Sequence, residues 1–403
     1  MRWSLLRSIA AGATVLSLTS CGLPSIGSGY PAGVDPTVKA RGEPAPTVNV
    51  EADTLPEPLA GRRLVDLGWE EIPNETDGVF VGLSQVTEDA LQISAIRSDG
   101  TILWDTERPL ACTGFALTSS GDRPVAVLTD LSPGILSVAE TTASAYDLHT
   151  GEQVWGPVEV PGTHAGPGLV FAEVSSGGAM GTSGPRVVLD PATGEVAGSE
   201  EDLVDARLVG EYHGTVLIAD DRHLVAHMTH DGRHRWRLPL ADLGLGGVGP
   251  VVAAPGSTPG HGLALVGTRE EGYALVDLAE GTVLATAVQD AATDPSGAVH
   301  VTLAHDELIA YDGDGEPLWD EQVEPGTRIA SAGGGVLYLL VDDQVTARDI
   351  DTGASIEVFE TTSPGVALPR HSDAVGATVL QTSRGLVFAT AGPPAATSPL
   401  TKP

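Results

Sequence analysis

Lysine is almost missing from this chain: of 403 residues only Lys39 and Lys402 carry an ammonium group, and lysine and arginine together number 21 against 54 acidic residues. The resulting formal charge of −33 repels phosphate backbones and anionic headgroups, which argues against nucleic acid or a charged bilayer face as a direct partner. Cysteine occurs twice, as Cys21 and Cys112, too few for a disulfide framework. Neither Gly-x-Ser-x-Gly, a Walker loop nor His-Glu-x-x-His is present, so the common sequence marks of serine hydrolases, P-loop NTPases and zinc peptidases are lacking. What the chain has in quantity is turn residues, 50 glycines and 29 prolines. That composition favours many short strands over long helices.

The first residues stand apart. Arg2 and Arg7 precede an apolar stretch from Ile9 to Leu18, which is too short to span a bilayer and suits the hydrophobic region of a signal peptide. It ends in Leu18-Thr19-Ser20-Cys21, which resembles a bacterial lipobox. The resemblance implies cleavage between Ser20 and Cys21 and a diacylglycerol thioether on Cys21. Cys112, set among apolar residues in "PLACTGFAL", is then a lone thiol and reads as a buried, inert one. Residues 21–60 hold prolines and no apolar periodicity, so they read as a disordered tether, and 392–403 as a disordered tail.

Between them a short pattern recurs. "SDGTILW" ends at Trp104, "LHTGEQVW" at Trp155, "THDGRHRW" at Trp236 and "DGDGEPLW" at Trp319, each tryptophan four residues after a glycine: Gly100, Gly151, Gly232 and Gly315. Three further copies keep the turn and lose the ring, at Gly194, Gly281 and Gly353. Successive glycines lie 51, 43, 38, 49, 34 and 38 residues apart. A period near 40 built from short Val/Leu/Ile-rich segments points to a β-propeller. The glycine suits a left-handed hairpin position, and the aspartate before it can hydrogen-bond the turn's own amides. The recurrent indole is expected to pack between adjacent blades.

Residues 61–391 give about 41 per blade for eight blades, close to the observed spacing; seven would need longer repeats. The expected fold is therefore all-β, an eight-bladed propeller of four-stranded antiparallel blades, with seven as the alternative. After Gly353 only three strand-like segments remain, "GVALPRHS", "ATVLQTS" and "GLVFATA". Arg63 to Glu70 is expected to supply the missing outer strand and close the ring. Trp69, 35 residues before Trp104, fits the repeat spacing.

The segments "SAYDLHTGEQVW" and "IAYDGDGEPLW" resemble the pyrroloquinoline-quinone-type propeller repeat, whose consensus is close to Tyr-Ala-Leu-Asp-x-x-Thr-Gly-x-x-x-Trp. That family includes quinoprotein dehydrogenases and non-enzymatic members, among them a propeller lipoprotein of the outer-membrane assembly machine. Its alcohol dehydrogenases carry adjacent cysteines and a calcium site with a catalytic aspartate. No position here matches either, so the resemblance implies no catalytic residue and no quinone or other cofactor.

Two metal candidates remain. Asp312, Asp314 and Glu316 superficially resemble the start of a calcium loop, but Pro317 replaces its required glycine and Val323 its closing glutamate. His223, His227, His230 and His234 are close in sequence, yet alternation sets His223 and His227 on one strand face and His230 on the other. No metal site is expected. The reading is of a monomeric, non-catalytic lipoprotein, anchored through Cys21 to the outer side of the cytoplasmic membrane and binding an envelope protein or glycan through its loops. The alternative is a small-ligand sensor or degenerate quinone enzyme using the axial funnel, which requires polar side chains converging on the axis.

Overall fold

A computed structural model describes residues 34–49, 55–110, 114–132, 140–174, 182–247, 249–254, 262–342, 344–360 and 367–392. The signal peptide, Cys21, Cys112 and residues 393–403 lie outside the described residues. Eight antiparallel sheets form an eight-bladed propeller. In chain order the blades occupy residues 74–109, 114–160, 162–199, 207–239, 252–288, 290–322, 328–360 and 368–389, the last completed by Leu64–Val65. Within each blade the first strand is innermost and the fourth outermost. The end of the innermost strand and the glycine hairpin of the repeat therefore share one face, here the hairpin face. The connections from one blade to the next lie on the opposite, crossover face.

Burial explains the sequence pattern. A second strand is covered by a blade on each side, so Leu263–Thr268 of blade 5 is buried at every position. Third strands lie further out and alternate, as in His223–Met228, where Leu224 and Ala226 are buried and their neighbours half-exposed. Among the described residues no single central core forms. The apolar clusters are wedges between neighbouring blades: Val81, Ile93, Trp104 and Leu128 join blades 1 and 2, and Leu217, Trp236, Leu265's neighbour Ala264 and Leu278 join blades 4 and 5.

The repeated tryptophans tie these wedges together. Trp104 donates its indole N–H to the Leu148 carbonyl of the next blade at 2.8 Å, Trp155 to Pro191 at 2.8 Å, Trp236 to Leu278 at 2.9 Å and Trp319 to Ile350 at 2.8 Å. Each ring also covers a hairpin glycine of that next blade: Gly151, Gly194, Gly281 and Gly353 respectively. The copies that lost their own tryptophan are thus receivers of the preceding one. At the other hairpins Gly315 meets Leu284, Gly100 meets Arg63, and Gly232 meets nothing within 4 Å.

Two expectations need correction. The tether does not extend unstructured to residue 60. Lys39–Pro44 pairs antiparallel with Thr101–Pro109 as a fifth strand on blade 1, with a bulge between Ala40 and Glu43. Arg41 pairs with Asp105 at 2.8 Å, and the buried Arg108 donates to the Pro36 carbonyl at 2.6 Å. The chain then crosses to blade 8, where Val48 N–H donates to the Leu64 carbonyl. This strand is almost wholly exposed; backbone pairing and ion pairs hold it, so it leaves no apolar period to read.

The closing strand is also shorter than Arg63–Glu70. Only Leu64 and Val65 pair, with Ala389 and Phe388. Asp66 then accepts the Gly68 N–H at 2.8 Å and turns the chain out of blade 8. Trp69 does not take the repeat's position. Its ring lies over Gly82 of blade 1, where a Cβ would fall 2.6 Å from the indole nitrogen, and it donates to Ser94 Oγ at 3.2 Å. A missing side chain in blade 1 thus decides where this tryptophan goes.

The interlock is testable with two glycines of similar backbone and different surroundings. Gly194 has φ +74° and Gly232 φ +65°, but a Cβ on Gly194 would fall 2.5 Å from the Trp155 ring. Both alanine variants carry the left-handed penalty of roughly 1–2 kcal/mol. Gly194→Ala should cost about 1–3 kcal/mol more through overpacking. Denaturant melts of the two variants measure it, and equal losses would show that the indole contact contributes nothing.

Candidate functional site

The innermost strands line the axis, so the side chains at their two ends define the two mouths of the central channel. On the hairpin face those ends carry acids. Glu211, 1% exposed at the end of blade 4's inner strand, accepts from the Gly214 N–H at 2.6 Å, the Leu169 N–H of blade 3 at 3.1 Å and the Thr118 hydroxyl of blade 2 at 3.0 Å. His213 meets Ser119 of blade 2 at 3.1 Å. Blades 2 and 4 therefore touch across the inner edge of blade 3, whose inner strand is only Gly162–His164.

The same device recurs around the ring. Asp294 of blade 6 accepts from its own Ser296 N–H and from Gly335 N–H of blade 7, each at 2.9 Å. Asp290, at the other end of that strand, accepts from Ile329 N–H of blade 7 at 2.9 Å. Asp373 of blade 8 accepts from Val375 and Ala377 N–H at 3.0 and 2.8 Å. Each carboxylate closes its own hairpin, reaches into a neighbouring blade, or does both. Buried backbone amides find acceptors in this way, which a tightly curved ring of short strands otherwise leaves open.

Burial raises the acids and lowers the bases here. It pushes Glu75 and Glu211 up to about 7, against the hydrogen bonds that favour their ionised forms. It holds His371, packed edge-on against Phe80 at 5.8 Å, down to about 4. A carboxyl near 7 has the proton affinity of a general acid or base. Glu211, however, spends both oxygens on protein donors, and the arrangement suits a staple between blades.

The residues singled out in the sequence are spread around the ring. The four Gly–Trp pairs sit on the hairpin face and the blade interfaces. His227 and His234 are cross-strand partners with ring centroids 5.6 Å apart; the turn brings His227, not His230, beside His234. His223 meets Arg237 and Asp220, and His230 meets Asp231. Among the described residues no three His, Cys, Asp or Glu groups converge as a metal site. Asp312 Oδ1 accepts the N–H of Asp314 and of Glu316, an ordinary capped turn. Sequence reading missed the inner-strand acids, which carry no motif, and the arginines at the crossover mouth, Arg328 and Arg370.

The pH dependence of Glu211 gives a direct check. Its folded pKa, about 7, lies above the ordinary 4.5, so the stability it contributes is fully present below the ordinary value and is lost as pH rises through about 7. The shift corresponds to roughly 3 kcal/mol at most. Glu211→Gln should be less stable at low pH, because an amide NH₂ then faces N–H donors. Its melting temperature should fall less than that of wild type between pH 5 and 8. Parallel pH profiles would contradict the assignment.

Among solved structures, the β-propeller domain of Cps50 (Swd1) from Myceliophteria thermophila matches at 10% identity and a TM-score of 0.38, covering 81% of this chain and 97% of that one. No curated protein matches the chain significantly. Residues 139–399, blades 3 to 8 with the end of blade 2, match the family model described as "Outer membrane protein assembly factor BamB". That match spans well over half of the sequence, and the chain belongs to this family of PQQ-like propellers.

Proposed function

We propose that the protein is a non-catalytic envelope scaffold, held by lipid on Cys21 to the outer side of the cytoplasmic membrane, whose propeller docks an exported protein. The family match carries this reading, because its description names an assembly factor, a task of binding and positioning. The interlocked ring supports it: a rigid disc offers loops on two faces without rearranging.

The crossover between blades 3 and 4 is the best candidate for docking. Ser199 Oγ accepts the Glu201 N–H, and Glu200 accepts the Arg186 and Leu208 N–H groups, so the turn is fixed. It presents Val204, 86% exposed, between the acids Glu201, Asp202 and Asp205. An apolar anchor ringed by carboxylates suits a partner with a small apolar pocket rimmed by lysine or arginine, and such binding weakens with salt.

Photo-crosslinking in living cells tests both parts. A photoreactive residue at Val204 should capture a discrete envelope protein, while the same residue at Val375 on the hairpin face or Val358 on the rim, 60% and 56% exposed, should capture little. Labelling with an alkyne fatty acid should mark the wild type and not Cys21→Ala. Capture confined to cytoplasmic proteins, or a labelled Cys21→Ala variant, would overturn the reading.

A further inference from the structure

Among the described residues, arginines withdrawn from solvent find acceptors, with one exception. Arg62 donates to the Ala391 carbonyl, Arg63 to Asp99, Arg108 to Pro36, Arg186 to Leu208 and Arg348 to the Glu321 carboxylate. Arg370 is half-buried, its Nε is fully shielded and without a hydrogen-bond partner, and among the described residues no hydrogen bond or ion pair meets the rest of its guanidinium. It stands on the inner strand of blade 8, Leu368–Ser372. Pairing there steps from Pro369↔Leu380 to His371↔Val379, so Arg370 is the extra residue of a β-bulge. Inner strands of blades 4 and 7 bulge at Val209 and Ala330 in the same way. Two of the three bulges hold a small apolar side chain; the third holds a cation. Bulges are a common means of re-aiming one side chain out of a ladder.

The neighbouring strand contributes more of the same character. A Cβ on Gly333 of blade 7 would fall 2.6 Å from Ser372 Cβ, so these two inner strands run in contact. Two residues back along each stand Ser331 and Arg370. Ser331 is 7% exposed and its Oγ is also without a partner. Arg328 begins the blade 7 strand, and burial, helped by the like charge of Arg328, lowers the proton affinity of Arg370. Asp290, which lies within electrostatic reach of Arg328, is already accepting the Ile329 and Ala291 N–H groups. In a chain with a formal charge of −33, the exposed Arg328 has Asp290 within electrostatic reach, whereas the half-buried Arg370 feels Arg328 as a like charge beside an idle hydroxyl.

An unpaired, half-buried charge beside a like charge destabilises a fold, and features that cost stability in this way mark functional positions. We propose that Arg370, Arg328 and Ser331 form an oxyanion-binding site at the crossover side of the axial channel, taking a carboxylate or phosphate group. The guanidinium forks match the planar or tetrahedral oxygens of such a group, and the serine hydroxyl supplies a neutral donor. The site lies on the axis, apart from the Val204 turn, and gives the scaffold a small-ligand input distinct from its docking surface.

Calorimetric titration of the full chain in detergent, at fixed ionic strength, with citrate and separately with inorganic phosphate tests this. Either anion should bind saturably and raise the melting temperature; citrate alone would identify a carboxylate site and phosphate alone a phosphate site. Arg370→Gln should weaken binding at least tenfold, Arg328→Gln by less, and the exposed control Arg233→Gln not at all. Without anion, Arg370→Gln should melt at or above the wild-type temperature. Failure of both anions to bind, undiminished binding by Arg328→Gln and Arg370→Gln, or a less stable anion-free Arg370→Gln would overturn the proposal.

Discussion

A ring has as many interfaces as blades, so the last blade must meet the first, and everything else in this molecule depends on that closure. An open arc would expose two apolar wedge faces and two sheet edges. Here the seam is closed by the chain's own N-terminal part. Leu64 and Val65 complete blade 8, Lys39–Pro44 extends blade 1, and the residues between them hydrogen-bond across the junction. Ala45, Val65, Trp69, Phe80 and Phe388 fill the wedge beneath. The two strands that seal the ring are thus far from the blade they complete in sequence, and neither belongs to a repeat copy.

The rest of the ring is sealed by local means. Tryptophan on one blade and glycine on the next work as a pair. The indole needs a hairpin without a side chain, and the left-handed hairpin needs glycine in any case. This coincidence made the repeat legible: a scarce residue, tryptophan, recurs at a fixed offset from a turn glycine. It also concealed something, because the glycine and tryptophan of one copy serve different interfaces. Gly194 looks degenerate beside Gly151, yet it receives Trp155.

What stayed illegible has physical reasons. Lys39–Pro44 is held by its backbone and by Asp105, so no hydrophobic alternation announces it. Trp69 fits the repeat spacing, and only the bare backbone of Gly82 in another strand reveals its different place. The acids of the inner strands and the arginines of the crossover mouth stand at isolated positions, some at bulges where the two-residue period fails. Only the ring itself brings these positions to the axis. The blade number was readable from spacing alone because each blade needs four short strands and their turns.

The central claim is that the N-terminal segment staples the seam between blades 8 and 1. Native-state hydrogen exchange on the full chain and on a chain lacking residues 34–48 tests it most directly. The account predicts that protection is lost selectively in Thr101–Pro109 and Gly385–Ala389, on the two sides of the seam, while blades 4 and 5 keep theirs. Protection that is unchanged at the seam, or lost evenly around the ring, would contradict it.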